Sequence, residues 1–130
     1  MALERKSKQR DAIMDNLCSR YDHPTAEEVY FSVREVCPKI SLATVYRNLK
    51  QLAADNKVLV LHSESSEHYD ANTNQHYHLY CKECKRIIDL DMPIIPAIEE
   101  AACKVSGVSI DSYSLMFDGL CPSCKEKGQQ

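Results

Sequence analysis

Apolar residues recur at helical spacing in the first part of the chain and in strand-like alternation later. Ile13, Leu17 and Tyr21 repeat every fourth residue, with Ala12 and Met14 beside them, which predicts a helix over residues 4–21. Asp22-His23-Pro24 breaks it. Thr25-Ala26-Glu27-Glu28 then has the form of a capping box, in which the Thr25 hydroxyl meets the Glu28 amide and the Glu28 carboxylate reaches back. The helix that follows is expected to bury Val29, Val33 and Val36 and to stop before Pro38. Ser41 caps a third helix, whose inner stripe is Leu42, Val45, Leu49 and Leu52. Its opposite stripe is Ala43, Tyr46, Arg47 and Lys50.

Next, Val58–His62 and Glu67–Asp70 flank the polar stretch Ser63-Glu64-Ser65-Ser66 and predict a β-hairpin. Three short helices and a hairpin suggest a winged helix-turn-helix. Ala71-Asn72-Thr73-Asn74-Gln75 is short and polar and marks a hinge, so the expected domains are residues 1–70 and 76–130. The second half predicts a strand over 76–81, a strand over 86–90, a helix over 93–106 closed by Gly107, and a last strand over 108–117. In that strand Tyr113, Leu115 and Phe117 alternate with Ser112, Ser114 and Met116. The chain is thus α+β, a winged helix followed by a small α/β unit. That second unit is small for independent folding, so a metal or a dimer interface is expected to supply what its core lacks.

Composition sharpens this picture. A chain of 130 residues with 44% hydrophobic residues packs a core, but a thin one once divided. It has no apolar run of membrane-spanning length and no signal-peptide pattern at Met1-Ala2-Leu3-Glu4, so a cytoplasmic protein with reduced thiols is expected. The formal net charge of -3 argues mildly against nucleic-acid binding, but the positive charge is local. Arg5, Lys6, Lys8 and Arg10 cluster at the start, and Lys39, Arg47 and Lys50 lie in a stretch without acids. On the third helix, Ser41 and Thr44 sit near an N-terminus suited to phosphate, and Tyr46, Arg47 and Lys50 form a hydrogen-bonding, cationic and aromatic face. A solvated helix face is the plainer account of Tyr46 and Lys50.

Seven cysteines are many for this length. Cys81-x2-Cys84 and Cys121-x2-Cys124 are two knuckles whose four thiolates complete a tetrahedral zinc shell. The alternative is two pairs of buried or redox-active thiols. Cys18, Cys37 and Cys103 have no partner at metal spacing and are expected to be buried small hydrophobes. His76 and His78 precede the first knuckle, and on a strand both imidazoles leave one face. Asp89 falls on the predicted partner strand, Asp70 just before the hinge, and His23 at the first corner. Alternate histidines on a strand are often only polar surface. If the five do share a site, three imidazoles and two carboxylates suit Fe(II), Mn(II) or Zn(II).

His23-Pro24-Thr25-Ala26-Glu27-Glu28-Val29-Tyr30, Ser41-Leu42-Ala43-Thr44-Val45-Tyr46-Arg47-Asn48-Leu49, His76-x-His78-x2-Cys81-x2-Cys84 and Cys121-x2-Cys124 together resemble the ferric uptake regulator (Fur) family. The resemblance covers nearly the whole chain and is nearest to the peroxide-stress (PerR) branch. It implies a homodimeric winged-helix repressor with a C-terminal dimerisation domain, structural Zn2+ on Cys81, Cys84, Cys121 and Cys124, and regulatory Fe2+ or Mn2+ on His23, Asp70, His76, His78 and Asp89. Its partner is double-stranded operator DNA, expected to be palindromic, with Tyr46 and Arg47 at the bases and Ser41, Thr44 and Lys50 at phosphates. Asp89 matches the peroxide branch, where iron-uptake members usually carry Glu. Arg47 resembles the iron-uptake branch, where peroxide regulators often carry Asn. The strand before Cys121 lacks the histidine of a further metal site found in other branches, and Arg5–Arg10 stand where many relatives have a first helix or basic arm.

For the peroxide branch the resemblance implies that iron at the regulatory site reacts with peroxide, that His23 or His76 is oxidised, and that DNA is released. Iron or manganese homeostasis without peroxide sensing is the alternative function. An Fe(II) oxygenase uses similar ligands, but the chain has no large barrel to enclose a substrate. A zinc-knuckle adaptor that binds only protein is a third class.

Overall fold

The computed structural model describes residues 2–63 and 66–128, with side chains from residue 8 onward. The chain divides into two compact units, residues 1–74 and 75–130. The first holds α1 (Ala2–Cys18), α2 (Ala26–Val33), α3 (Leu42–Ala54), β1 (Leu59–His62) and β2 (Glu67–Asp70). The second holds β3 (Tyr77–Cys81), β4 (Ile87–Leu90), α4 (Pro96–Cys103), β5 (Met116–Gly119) and α5 (Pro122–Gly128).

The first unit is a winged helix-turn-helix. One apolar face from each helix closes its core: Ile13 and Leu17, Val29 and Val33, then Val45, Leu49 and Leu52. Full burial of such side chains contributes about 1.5–3 kcal/mol each. The capping box forms as expected. The Thr25 hydroxyl oxygen accepts from the Glu28 amide at 3.3 Å, and the Thr25 amide donates to Glu28 Oε1 at 3.1 Å. Ser41 Oγ accepts from the Thr44 amide at 3.1 Å and so opens α3. The wing is the antiparallel pair β1–β2, with Leu59 opposite Asp70 and His62 opposite Glu67. A two-stranded ribbon is marginal alone. Here β2 packs against α1 and α2, and Tyr69 joins the core. Glu64 and Ser65, in the predicted turn, lie outside the described residues.

The second unit is a three-stranded sheet in the order β4-β3-β5. β3 pairs antiparallel with β4 and parallel with β5. A parallel pair needs a crossover, and α4 lies within it. Tyr77 anchors this unit. It is 1% exposed, and its hydroxyl lies 2.9 Å from that of Tyr113 and accepts from the Ile95 amide at 2.9 Å.

Several expectations are corrected. α1 ends at Cys18, where the Arg20 amide turns back onto the Leu17 carbonyl, so Tyr21 leaves the stripe and is 86% exposed. α2 ends at Val33, whose carbonyl takes the Cys37 amide at 2.8 Å, and Val36 is 75% exposed instead of buried. α4 starts at Pro96 rather than Pro93, with Pro96 in the first turn where its missing N–H is not needed, and it buries no residue within the chain. Its C-cap is Lys104; Gly107 follows three residues later with φ +82°. The last strand is only Met116–Gly119, and α5 after it has no counterpart in the sequence reading. Cys18 and Cys103 are exposed and Cys37 is half-buried, so they are not core hydrophobes. Each lies at or beyond the end of a helix that stops short of the expected length, and only Cys37 of the three packs against the core from its edge.

Candidate metal centres and nucleic-acid face

Cys81 ends β3, Cys84 follows in the turn, and Cys121 and Cys124 open α5 just beyond β5. One sulfur from each lies within 4.8 Å of the others. The turn that makes this possible bends at Lys85, which has φ +67° and donates its amide to the Cys81 carbonyl at 2.9 Å. The Lys82 amide donates to the Gly119 carbonyl at 2.8 Å and so pins the knuckle to the end of β5. At Gly119 a Cβ would sit 3.3 Å from Leu79 Cδ1, closer than ordinary contact, so the Leu79 side chain would have to give by a few tenths of an ångström.

The thiols are electrostatically primed. Burial pushes Cys81 up, but hydrogen bonds from the Cys84 and Cys121 amides outweigh it and bring it down to about 6. The Cys124 amide lowers Cys121. Cys124 goes the other way, to about 12, through its hydrogen bond to Cys121 and through burial. In this state the group shares protons between close sulfurs. A dication would replace those protons, and four sulfurs with no other donor in the cluster form a closed, zinc-type shell.

The other predicted ligands fall into two sets, one on each unit. On the second unit, His78 lies opposite Asp89 in the β3–β4 register. His78 Nε2 is 3.3 Å and His76 Nε2 3.1 Å from the same oxygen, Asp89 Oδ1. The two imidazole centroids are 4.3 Å apart. His78 is buried, and Asp89 is the solvent-facing member at 43% exposure. On the first unit, buried His23 and Asp70 face one another, Nε2 to Oδ2, at 3.8 Å. His23 has φ +50°, although it carries a Cβ and precedes a proline. The left-handed conformation costs about 1–2 kcal/mol for an ordinary residue, and the position before proline disfavours helical angles further. Such strain on a buried imidazole is typical of a functional corner. The Asp70 carboxylate is also braced, since its Oδ1 accepts from the Asn72 amide at 2.9 Å. Both sets offer imidazole and carboxylate without thiolate, which fits Fe(II) or Mn(II).

On α3, Ser41, Tyr46, Arg47 and Lys50 are exposed and Thr44 is half-exposed. Arg47 Nη2 donates to Thr44 Oγ1 at 3.4 Å. Tyr46, Arg47 and Lys50 form one wall of a cleft of about 680 Å³; Val60, His62, Glu67 and Tyr69 of the wing form the other. Two features here escaped the sequence reading. Tyr46 donates its hydroxyl proton to Glu27 in the first turn of α2. His68, whose role the sequence leaves open, is buried. No local spacing links residues so far apart in sequence.

The sequence profile of the Ferric uptake regulator family matches residues 3–118. The Peroxide-responsive repressor PerR of Staphylococcus epidermidis is 37% identical over 121 residues, covering 92% of this chain and 81% of that protein. Among solved structures, the Campylobacter jejuni peroxide stress regulator superposes with a TM-score of 0.80 at 28% identity, over 92% of this chain and 91% of its own. The Helicobacter pylori ferric uptake regulator Fur, described with three functional metal binding sites, gives 0.77 at 27% identity, over 91% of this chain and 80% of its own. On the profile match and the identity to PerR, this chain is a member of the ferric uptake regulator family.

Proposed function

We propose that this chain is a metal-dependent DNA-binding repressor that senses peroxide. The observation that carries it is the convergence of His76 and His78 on one Asp89 oxygen, with His23 and Asp70 paired in the same way on the first unit. We assign His23, Asp70, His76, His78 and Asp89 to one regulatory site that joins residues 1–70, as the DNA-binding domain, to residues 76–130, as the dimerisation and sensing domain, across a hinge at 71–75. Cys81, Cys84, Cys121 and Cys124 hold zinc and staple β3 to α5.

The regulatory ligands act by coupling. Holding His23 against His76, His78 and Asp89 selects one arrangement of the two domains. In a dimer, that arrangement presents two α3 faces to successive major-groove half-sites of a palindromic operator. Arg47 and Tyr46 then meet base edges, while Ser41, Thr44 and Lys50 meet phosphates. Dimerisation is supported by α4, which buries nothing within its own chain, and by exposed Ile95, Ile98, Val105, Val108, Phe117 and Leu120.

Iron(II) held by His23, Asp70, His76, His78 and Asp89 would supply redox chemistry toward peroxide beside the imidazoles. His23 and His76 are the rings expected to gain an oxygen atom. An oxidised ring is a weaker donor, so the two domains uncouple and the α3 faces leave the operator. Kinship with two peroxide regulators supports this reading.

The test is peptide mass spectrometry of iron-loaded protein after a brief peroxide pulse, with a manganese-loaded control. One added oxygen on the His23 or His76 peptide, only with iron, supports the proposal. Oxidation confined to cysteine and methionine would leave a regulator of iron or manganese uptake, the function that Arg47 favours.

A further inference from the structure

The corner that carries His23 is held from across the fold. His68, on β2, points its Nδ1 at the His23 carbonyl at 2.8 Å. The next residue, Tyr69, donates its backbone amide to the next carbonyl, that of Pro24, at 2.9 Å. Two consecutive carbonyls of the strained corner are therefore gripped by two consecutive residues of the wing. A carbonyl only accepts, so His68 Nδ1 carries the proton. The other ring nitrogen, Nε2, lies 3.2 Å from Ser63 Oγ, which fixes the ring from its far side. His68 is 7% exposed and His23 3%, so water does not substitute readily for either bond.

We infer that His68 is a positioning residue for the regulatory metal: it locks the left-handed backbone of His23 so that the His23 imidazole stays aimed at Asp70. This rests on the assignment of His23 and Asp70 as regulatory ligands. His23 sits in a backbone state that it would leave if released. Turning the His23–Pro24 peptide would carry the ring away from Asp70 Oδ2, now 3.8 Å from Nε2. The neighbouring Tyr69 amide cannot hold the corner alone, because it binds the carbonyl beyond the strained residue. Groups that orient metal ligands commonly change affinity ten- to a hundredfold when removed.

The experiment compares H68N with H68Q in the full-length, zinc-loaded chain. Both are polar amides, so neither empties the site. The Asn amide nitrogen reaches the place of Nδ1, whereas the Gln amide nitrogen reaches the place of Nε2. Manganese(II) affinity is measured by competition with a fluorescent chelator, beside H23A and the thermal midpoint of each protein without manganese. H68N is expected to bind manganese(II) within about threefold of the parent and H68Q at least tenfold more weakly, at similar midpoints and with zinc retained. Equal affinities for H68N and H68Q would overturn the clamp while leaving the ligand assignment intact. Unchanged affinity in H23A would overturn the ligand assignment, and the clamp with it.

Discussion

Asp89 faces His78 directly across the β3–β4 ladder, and its Oδ1 is 3.3 Å from His78 Nε2. The same oxygen is 3.1 Å from His76 Nε2, so one carboxylate organises both imidazoles. Asp89→Asn keeps the shape and removes the charge that binds a cation. Its manganese(II) affinity is expected to fall ten- to a hundredfold or more, with zinc content unchanged. Calorimetric titration of the zinc-loaded variant checks this. Parent-like affinity would remove Asp89 from the ligand set.

The bond from Tyr46 to Glu27 ties the exposed face of α3 to α2 and has a pH signature. The hydrogen bond from Tyr46 lowers Glu27 below its ordinary 4.5. The same bond raises Tyr46 above 10.0. A lowered acid stabilises the fold above its unfolded value and loses that contribution as pH falls through the folded value. A raised phenol stabilises below 10.0 and loses its contribution as pH climbs through the folded value. The stabilisation is therefore complete between the ordinary values of 4.5 and 10.0, and it is lost on the acid side through Glu27 and on the alkaline side through Tyr46. Carboxyl resonances followed by NMR should show Glu27 returning upward toward 4.5 in Tyr46→Phe. A Glu27 titration unchanged in that variant would mean that the bond does not persist in solution.

The first unit was the more legible half of the chain, for reasons that particular residues display. Thr25 and Ser41 cap through local hydrogen bonds, and Val45, Leu49 and Leu52 follow one helical period, so pattern and structure agree. Tyr21 and Val36 continued the period in sequence, but the backbone had already turned. In the second unit, apolar Ile98 on α4 and Val105 just beyond it are exposed in the single chain. A pattern records which face is apolar and leaves open whether a second chain covers it. The cysteine knuckles were legible because ligand spacing is a local property. His68 was not, because its partner is 45 residues away.

The four-cysteine site is expected to carry the fold of the second unit. Its sheet has few fully buried side chains besides Tyr77, Tyr80, Ile87 and the cysteines themselves. Zinc binding contributes about 10–16 kcal/mol in small metal-folded domains. That matches or exceeds the whole stability of a typical domain, about 5–15 kcal/mol. Cys121→Ser, or a strong chelator, is expected to abolish zinc binding and unfold β3, β4 and β5, while α1, α2 and α3 persist. Amide-resolved NMR separates the two units in one spectrum. Retention of the β3–β5 resonances after complete zinc removal would show that the sheet stands on its own packing.

Arg47 and Lys50 share the exposed face of α3, but base and phosphate contacts predict different losses. A guanidinium that pairs with a guanine edge is worth about 1–3 kcal/mol of discrimination. Arg47→Ala should therefore weaken the preferred operator more than its base-substituted versions and flatten the ranking among them. An ammonium that meets a phosphate acts alike on every sequence, so Lys50→Ala should weaken all duplexes together and reduce the salt slope by about one unit. Fluorescence anisotropy across a panel of single-base operator variants, at several salt concentrations with saturating manganese(II), gives both quantities. If Arg47→Ala lowers affinity evenly and changes only the salt slope, Arg47 contacts phosphate. Base selection would then rest on Tyr46, held in place by Glu27.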